Sequence, residues 1–473
     1  MKLFTPSFSF ALTILVSAFS FEAISASKSL EHSATGKTKA EQKVEMAKLH
    51  SQLKSASSSA KQHTLHLTVS ELDVIANPTK DSTGKLRVGV HRSVGKSVSN
   101  ASGDLIISVA GATAIRLELS KVKGTVSVFN EQGQAHQYQE DGFTHTFWGD
   151  KVTVRGNAHV DGAGAVSLGG NLCSFNASCV ENAECATTVM PTNISNSRAA
   201  YASILFNSGR YYYVCSGGLI ADSDESSQIP YFLTANHCLS RGKEARTVET
   251  FFNYTQSCGL NNNCALPDSD TVGSNVVSTN RQGDYTLLRL SQTPPSNTVY
   301  LGWNTETVAN NTDAMIIYRI SHPGGAPQAY SEHVIDDTAP TCSSWPRGSW
   351  IYSRDQYGAT EGGSSGSPVL NDAGQVVGQL SGACGYDVQN SCNVADNATV
   401  DGSFASYYPE IMQYLGGGST DPGTCTDADG DGWCAESGDC DDNNSEINPG
   451  ARDRGGRKWA DGVDNNCNGI IDG

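Results

Sequence analysis

The chain has 473 residues, too many for one ordinary domain, and its formal charge of −17 argues against a nucleic-acid partner, which would be held by clustered Lys and Arg. Forty-eight glycines, with 17% charged and 8% aromatic residues, point to a loop-rich, mostly β protein rather than a helical one.

The first element is the apolar run FSFALTILVSAFSF at 8–21, followed by the small residues Ala23, Ser25 and Ala26. It is too short to anchor a protein in a bilayer and reads as a secretory signal over residues 1–26. No other apolar stretch approaches the roughly 20 residues of a membrane span, so none is expected. The expected destination is extracellular, by way of the periplasm if the source is Gram-negative. Export makes disulfides the natural state of the 14 cysteines. Ten fall between Cys173 and Cys392 and four between Cys425 and Cys467, so each group can close on itself.

Residues 27–62 form a polar leader with a weak helical period around 41–49. From 63 to 168 the texture turns to alternation, as in AIRLEL at 114–119 and KVTV at 151–154, which predicts a small antiparallel β domain. The small, flexible segment 161–170 ends it and is a natural place for removal of a propeptide. A larger domain follows over 169–415, then a Gly/Ser/Pro linker over 416–424 and an acidic tail over 425–473. From 416 onward thirteen Asp or Glu face four Lys or Arg.

Three segments of the larger domain carry chemistry. The apolar strand YFLTA at 231–235 delivers His237 beside Cys238, and imidazole is the usual base for acyl transfer because it titrates near neutrality. Asp284 opens the apolar strand YTLLRL at 285–290, and a carboxylate among such neighbours is tolerable when it accepts hydrogen bonds, here from the histidine ring. The segment TEGGSSGSPV at 360–369 supplies Ser365 among small neighbours, with the N–H groups of Gly363 and Ser365 as an oxyanion hole. Singly these are a surface histidine, a turn aspartate and a Gly/Ser turn. Together, and in order inside one cysteine-framed region, they read as a catalytic triad.

Residues 173–415 resemble the bacterial lysyl endopeptidase branch of the chymotrypsin-like serine proteases. The resemblance rests on the segments around His237 and Asp284, on GATE at 358–361 leading into Ser365, on VGQL at 377–380, and on cysteine placement. It implies a chymotrypsin-like double β-barrel, preceded by the small antiparallel β propeptide domain and followed by the tail. It also implies Cys215–Cys238 and Cys179–Cys258 bridges, with Cys173 reaching Cys384 or Cys392. The propeptide would serve as its own domain's folding aid or inhibitor, and protein or peptide chains would be the substrates. Ser364 stands where animal trypsins carry an activating aspartate, so activation should not need an N-terminal ion pair. Ser381, Gly382 and Ala383 resemble the strand that pairs with extended substrate. A pocket for Lys or Arg needs a carboxylate, because a buried ammonium is costly unpaired. Asp396 and Asp401 are both candidates for it, and the preference stays open at this stage.

The tail holds DADGDG at 427–432, with Asp427, Asp429 and Asp431 at alternate positions before a glycine, as in a calcium loop. Asp464, Asn466, Asn468 and Asp472 repeat the spacing, and Asp439 and Asp441 lie between. Such hard oxygen donors suit Ca²⁺, and the tail resembles a metal-binding repeat of secreted bacterial proteins. Catalysis itself needs no cofactor. The competing reading is a catalytically inactive protease homologue used for calcium-dependent binding or adhesion, which an intact His/Asp/Ser set disfavours.

Overall fold

The structure is a computed structural model that describes residues 28, 33–53, 55–81, 84–167, 177–224, 227–259, 268–309, 314–336, 338 and 341–416, with 429, 441–445, 447 and 463 in the tail. The signal, most of the linker and most of the tail lie outside the described residues. Among the described residues no helix is long and apolar enough to cross a membrane.

The leader begins with the helix Lys39–Leu53, which buries none of its side chains. Three long strands, Leu86–Val98, Ala114–Phe129 and Lys151–Val166, then build an antiparallel sheet. Burial along the third alternates over 154–160, as a strand with one buried face requires. Val90, Ile107, Leu117, Val128, Val154 and Val160 form its core. The helix Val69–Ala76 closes the domain. Thr68 and Glu71 cap it reciprocally, which satisfies its first free N–H groups.

The larger domain is two barrels. In the first, the strands Tyr201–Ser208, Tyr211–Leu219, Tyr231–Ala235 and Tyr285–Leu290 are closed through Glu249–Phe252 and a kinked strand over 271–280. The kink falls at Gly273, whose φ of 87° suits glycine. One half of that strand pairs with Glu249–Phe252 and the other with Tyr285–Leu290, which closes the cylinder. In the second, Ile316–Ser321, Ala329–Ile335, Trp350–Tyr357, Asn397–Ser403, Val376–Gly385 and Pro368–Leu370 close in a ring. Tyr201, Leu233 and Tyr285 of the first barrel share a core with Ile320, Tyr330 and Val376 of the second. The C-terminal helix Phe404–Leu415 packs Phe404, Tyr407, Ile411 and Tyr414 into that core at helical spacing. The seam between the barrels is therefore fixed by one continuous apolar mass.

The leader sheet runs on into the first barrel. Strand Leu86–Val98 pairs with Tyr211–Leu219, matching Val90 to Tyr211 and Leu86 to Val214. Beside this edge, Arg116 of the leader and Glu249 of the barrel are both fully buried, 3.5 Å apart. Glu249 also accepts the N–H and hydroxyl of Thr146, each at 2.6 Å. A buried charge tolerates burial only with this many partners.

Four disulfides fall within the described residues: Cys179–Cys392, Cys185–Cys258, Cys215–Cys238 and Cys342–Cys384. Two expected pairings are corrected. Cys179 reaches Cys392 across the second barrel instead of Cys258, which is taken by Cys185. Cys384 and Cys392 are both occupied, so neither is available to Cys173, itself outside the described residues.

Candidate active site

The turn at the end of strand Tyr231–Ala235 brings His237 to the seam, and Cys215–Cys238 ties that turn to the neighbouring strand. Asp284 sits one residue before its own strand at φ 49°, a left-handed conformation that Asp accepts more readily than most residues. Two hydrogen bonds to its carbonyl hold it there, from the N–H of Asn236 at 2.9 Å and from Gln379 Nε2 at 3.1 Å. The same Gln379 nitrogen donates to the carbonyl of Gly283 at 2.9 Å. A side chain of the second barrel thus anchors the aspartate turn of the first.

The Asp284 carboxylate grips His237 twice. Oδ1 accepts the backbone N–H of His237 at 2.7 Å and Oδ2 lies 2.7 Å from the ring Nδ1. This places the ring proton on Nδ1 and leaves the lone pair of Nε2 for the cleft. Ser365 lies in that cleft with His237 and Asp284. Its carbonyl accepts the N–H of Ser216 at 2.8 Å, which fixes the turn that carries Ser365 to the first barrel. Gly366 needs its glycine: φ is 84°, and a Cβ would overlap the Thr234 hydroxyl.

Gly363 has φ 102°, and a Cβ on it would come within 2.8 Å of the Gly324 nitrogen and the His322 carbonyl. Its carbonyl accepts from Ser216 Oγ at 2.9 Å, so the peptide is turned away from the cleft on that side. The N–H groups of Gly363 and Ser365 have no partner among the described residues. His322 stiffens the loop behind them. It is fully buried and its Nδ1 meets the carbonyl of Ala326 at 2.9 Å, and burial pulls its pKa down to about 4, so it is neutral. Ser364, also buried, meets the Ser321 hydroxyl at 3.0 Å, and a hydroxyl satisfies the position that an activating aspartate would need a cation to fill.

Ser381, Gly382 and Ala383 line the cleft. Their strand, Val376–Gly385, pairs with Pro368–Leu370 up to Gln379, and Leu380 still bonds the backbones of Gly366 and Ser367; from Ser381 onward no strand among the described residues pairs with that edge, while the other edge pairs with Asn397–Ser403. A free edge beside Ser365 can take an extended chain.

The two acids expected at the base of the pocket are elsewhere. Asp401 is wholly buried, in a two-point contact with the equally buried Arg319. Asp396 is exposed, accepts from Asn393 Nδ2 at 2.9 Å, and is absent from the cleft lining. The physical reason is strand alternation: Asp401 faces the barrel interior and Asp396 precedes the strand. The carboxylates that do line the cleft are Asp284, Asp355, Glu361 and Glu244. Asp355 and Gln379 were missed from sequence.

In the tail, Asp429 and Asp441 fall among the described residues, the carbonyl of Asp441 accepting the N–H groups of Asn443 and Asn444, while Asp427, Asp431, Asp439, Asp464, Asn466, Asn468 and Asp472 lie outside them.

Two closed barrels meeting at such a cleft define the chymotrypsin-like class of serine protease fold. Residues 174–400 match the family model described as lysyl endopeptidase, C-terminal domain. A lysyl endopeptidase of Pseudomonas aeruginosa is 30% identical over 255 residues, covering 50% of this chain and 52% of the relative, so the chain spans about half the length of that relative. This segment of the protein is lysyl endopeptidase-like. Among solved structures, the Rv3671c protease of M. tuberculosis in an inactive form is 15% identical with a TM-score of 0.32, covering 48% of this chain and 93% of that one. An inactivated scabies mite protease paralogue is 14% identical with a TM-score of 0.34, covering 48% and 98%. The HtrA-type protease AlgW with a tripeptide is 14% identical with a TM-score of 0.33, covering 46% and 62%.

Proposed function

We propose that the protein is an exported serine endopeptidase, made as a precursor, that cleaves peptide bonds after Lys or Arg through an acyl-enzyme on Ser365. The observation that carries this reading is the double hold of Asp284 on His237 at a cleft that also contains Ser365. Ser365 Oγ attacks the peptide carbonyl while His237 Nε2 takes its proton, and the oxyanion is received by the N–H groups of Gly363 and Ser365. The proton then passes from His237 to the leaving amine. Water, activated by the same ring, frees the acid and restores the serine. Asp284 keeps the imidazole oriented and stabilises its cationic form.

Substrate would lie along the free edge at 381–383 as an added strand. The propeptide domain over 63–168 would assist folding and block the cleft until it is removed near 161–170. The four disulfides accord with an oxidising destination.

The test is labelling of the secreted protein with an uncharged serine-directed phosphonate, followed by intact mass and N-terminal sequencing. One adduct on Ser365, lost in Ser365→Ala, supports the reading. A folded protein that takes no label although N-terminal sequencing shows residues 1–168 removed is instead the inactive homologue. Calcium binding by the tail rests on the Asp/Asn spacing. It predicts that Ca²⁺ protects residues 425–473 from added protease, and no protection would rule it out.

A further inference from the structure

We propose that Asp355, on strand Trp350–Tyr357, is the carboxylate that recognises the cationic side chain of the residue before the cut. This rests on the endopeptidase reading above and supplies it with a specificity residue.

Strand Trp350–Tyr357 leads directly into the segment 358–362 that carries the chain to Ser365, and it pairs on one side with Asn397–Ser403. Asn397–Ser403 in turn pairs with Val376–Gly385. The pocket beside Ser365 therefore has the 358–362 segment on one wall and 381–383 on the other. Asp355 lines the same cleft as Ser365, together with Thr360, Ala398 and Thr399. The Asp355 side chain is 14% exposed, enough for one face to meet a ligand.

Its other contacts come from behind. Thr399 Oγ1 donates to Oδ1 at 3.1 Å, and the Nδ1 of buried His333 lies 2.9 Å from Oδ1. Nε2 of His333 meets the Ser331 hydroxyl at 2.8 Å, which fixes the ring. Burial and the Arg319 charge pull His333 below its ordinary range, so it supports Asp355 as a dipole. Burial pushes the Asp355 carboxyl up, but His333, Arg319 and the Thr399 hydroxyl outweigh it and hold the acid below its usual range. Deeper in the barrel, Arg319 and Asp401 neutralise one another. The group as a whole carries one negative charge, and that charge sits at the cleft.

The walls suit a long alkyl stem. The Trp345 indole borders the strand at Gly382, at ordinary contact distance from a Cβ built there, and Cys342–Cys384 ties the Trp345 loop to the strand. Trp350 stands 5.6 Å from Trp345, ring to ring. A cleft bordered by the Trp345 and Trp350 rings and holding an unneutralised carboxylate favours a long cation, because a neutral side chain would leave the acid desolvated and unpaired. Glu361 also lines the cleft, but within the turn that carries Gly363, so it serves as the control.

The experiment compares kcat/KM for Lys, Arg and Phe chromogenic amides in the parent, Asp355→Asn, Asp355→Glu and Glu361→Gln, with phosphonate labelling of Ser365 as the readout of a folded site. The parent should favour Lys and Arg over Phe, and Asp355→Asn should reduce that ratio on the order of 100-fold. Asp355→Glu, with a shorter remaining pocket, should keep the cationic preference and shift it toward Lys over Arg. If Asp355→Asn does not fold, the Asp355→Glu shift decides. A parent that labels but prefers Phe, an Asp355→Asn enzyme that keeps its Lys/Phe ratio, an Asp355→Glu enzyme with the parent's Lys/Arg ratio, or a collapse confined to Glu361→Gln overturns the proposal. A parent that takes no label overturns the endopeptidase reading itself.

Discussion

Lys80 of the leader lies against Gly362 of the nucleophile segment, so closely that a Cβ on Gly362 would overlap Lys80 Cε. Lys80 belongs to a short strand, Thr79–Lys80, that pairs with Leu86 and Arg87, and Thr79, Lys80, Gly84 and Lys85 all line the catalytic cleft. The propeptide domain thus reaches into the cleft in which the proposed substrate would lie. In a secreted sample holding both forms, the full-length band should take a phosphonate label at least about tenfold more slowly than the band lacking the leader, a difference of about 1.4 kcal/mol. Lys80→Glu should narrow the gap, since it sets a carboxylate beside Glu361. Equal labelling of the two bands would refute a blocking role.

The grip of Asp284 on His237 makes a sharper demand. Asp284→Asn keeps the shape but offers an N–H where Nδ1–H must donate, so the ring turns to the wrong tautomer. Turnover on a peptide amide should fall by roughly 10⁴, and Ser365→Ala by a comparable or larger factor. Far-UV spectra and melting temperature should stay near the parent's. A drop below about tenfold for Asp284→Asn would remove the aspartate from the mechanism.

What could be read from the residues, and what could not, divides by the range of the interactions. The propeptide domain's β character is local, since the apolar residues of AIRLEL at 114–119 alternate and Ile115, Leu117 and Leu119 enter its core, but the burial of Arg116 between them depends on Glu249 far along the chain. The His237, Asp284 and Ser365 segments each carry a short motif. Asp401 is a candidate pocket acid through the family resemblance, which puts that acid shortly before a glycine and a strand, but its partner Arg319 lies 82 residues away and no local pattern reveals it. Asp355 carried no motif. Its place follows from the pairing of Trp350–Tyr357 with Asn397–Ser403, which only a folded barrel reveals. The cysteines failed for the same reason: which loops meet decides Cys179–Cys392, across a separation of 213 residues.

The Arg319–Asp401 pair gives a stability prediction. Both side chains are fully buried, and Ser353 adds a third contact at 3.2 Å. Asp401→Ala leaves Arg319 charged and unpaired in the barrel and should cost about 3–5 kcal/mol in denaturant unfolding, whereas Arg319→Met with Asp401→Leu should recover most of it. If the single and double variants are equally destabilised, packing volume rather than charge is the cause.

The contact between leader helix and barrel should be sensitive to pH through Asp270. This carboxyl is almost wholly buried; it lies 3.0 Å from Lys39 Nζ and accepts the N–H of Phe252 at 2.7 Å. Burial pushes its pKa up to about 6 from 3.8, and Lys39 and the Phe252 N–H only partly offset this. An acid whose folded pKa is raised binds its proton more tightly when folded. Stability from this group is therefore greatest below about pH 4 and declines as pH rises through about 6, by on the order of 2–3 kcal/mol in total. Asn has no proton to lose. The melting temperature of an inactive Ser365→Ala precursor carrying Asp270→Asn, measured against Ser365→Ala alone, should therefore gain several degrees between pH 4.5 and pH 7. A difference that stays flat over that range would mean that Asp270 titrates normally and that its pairing with Lys39 compensates fully for its burial.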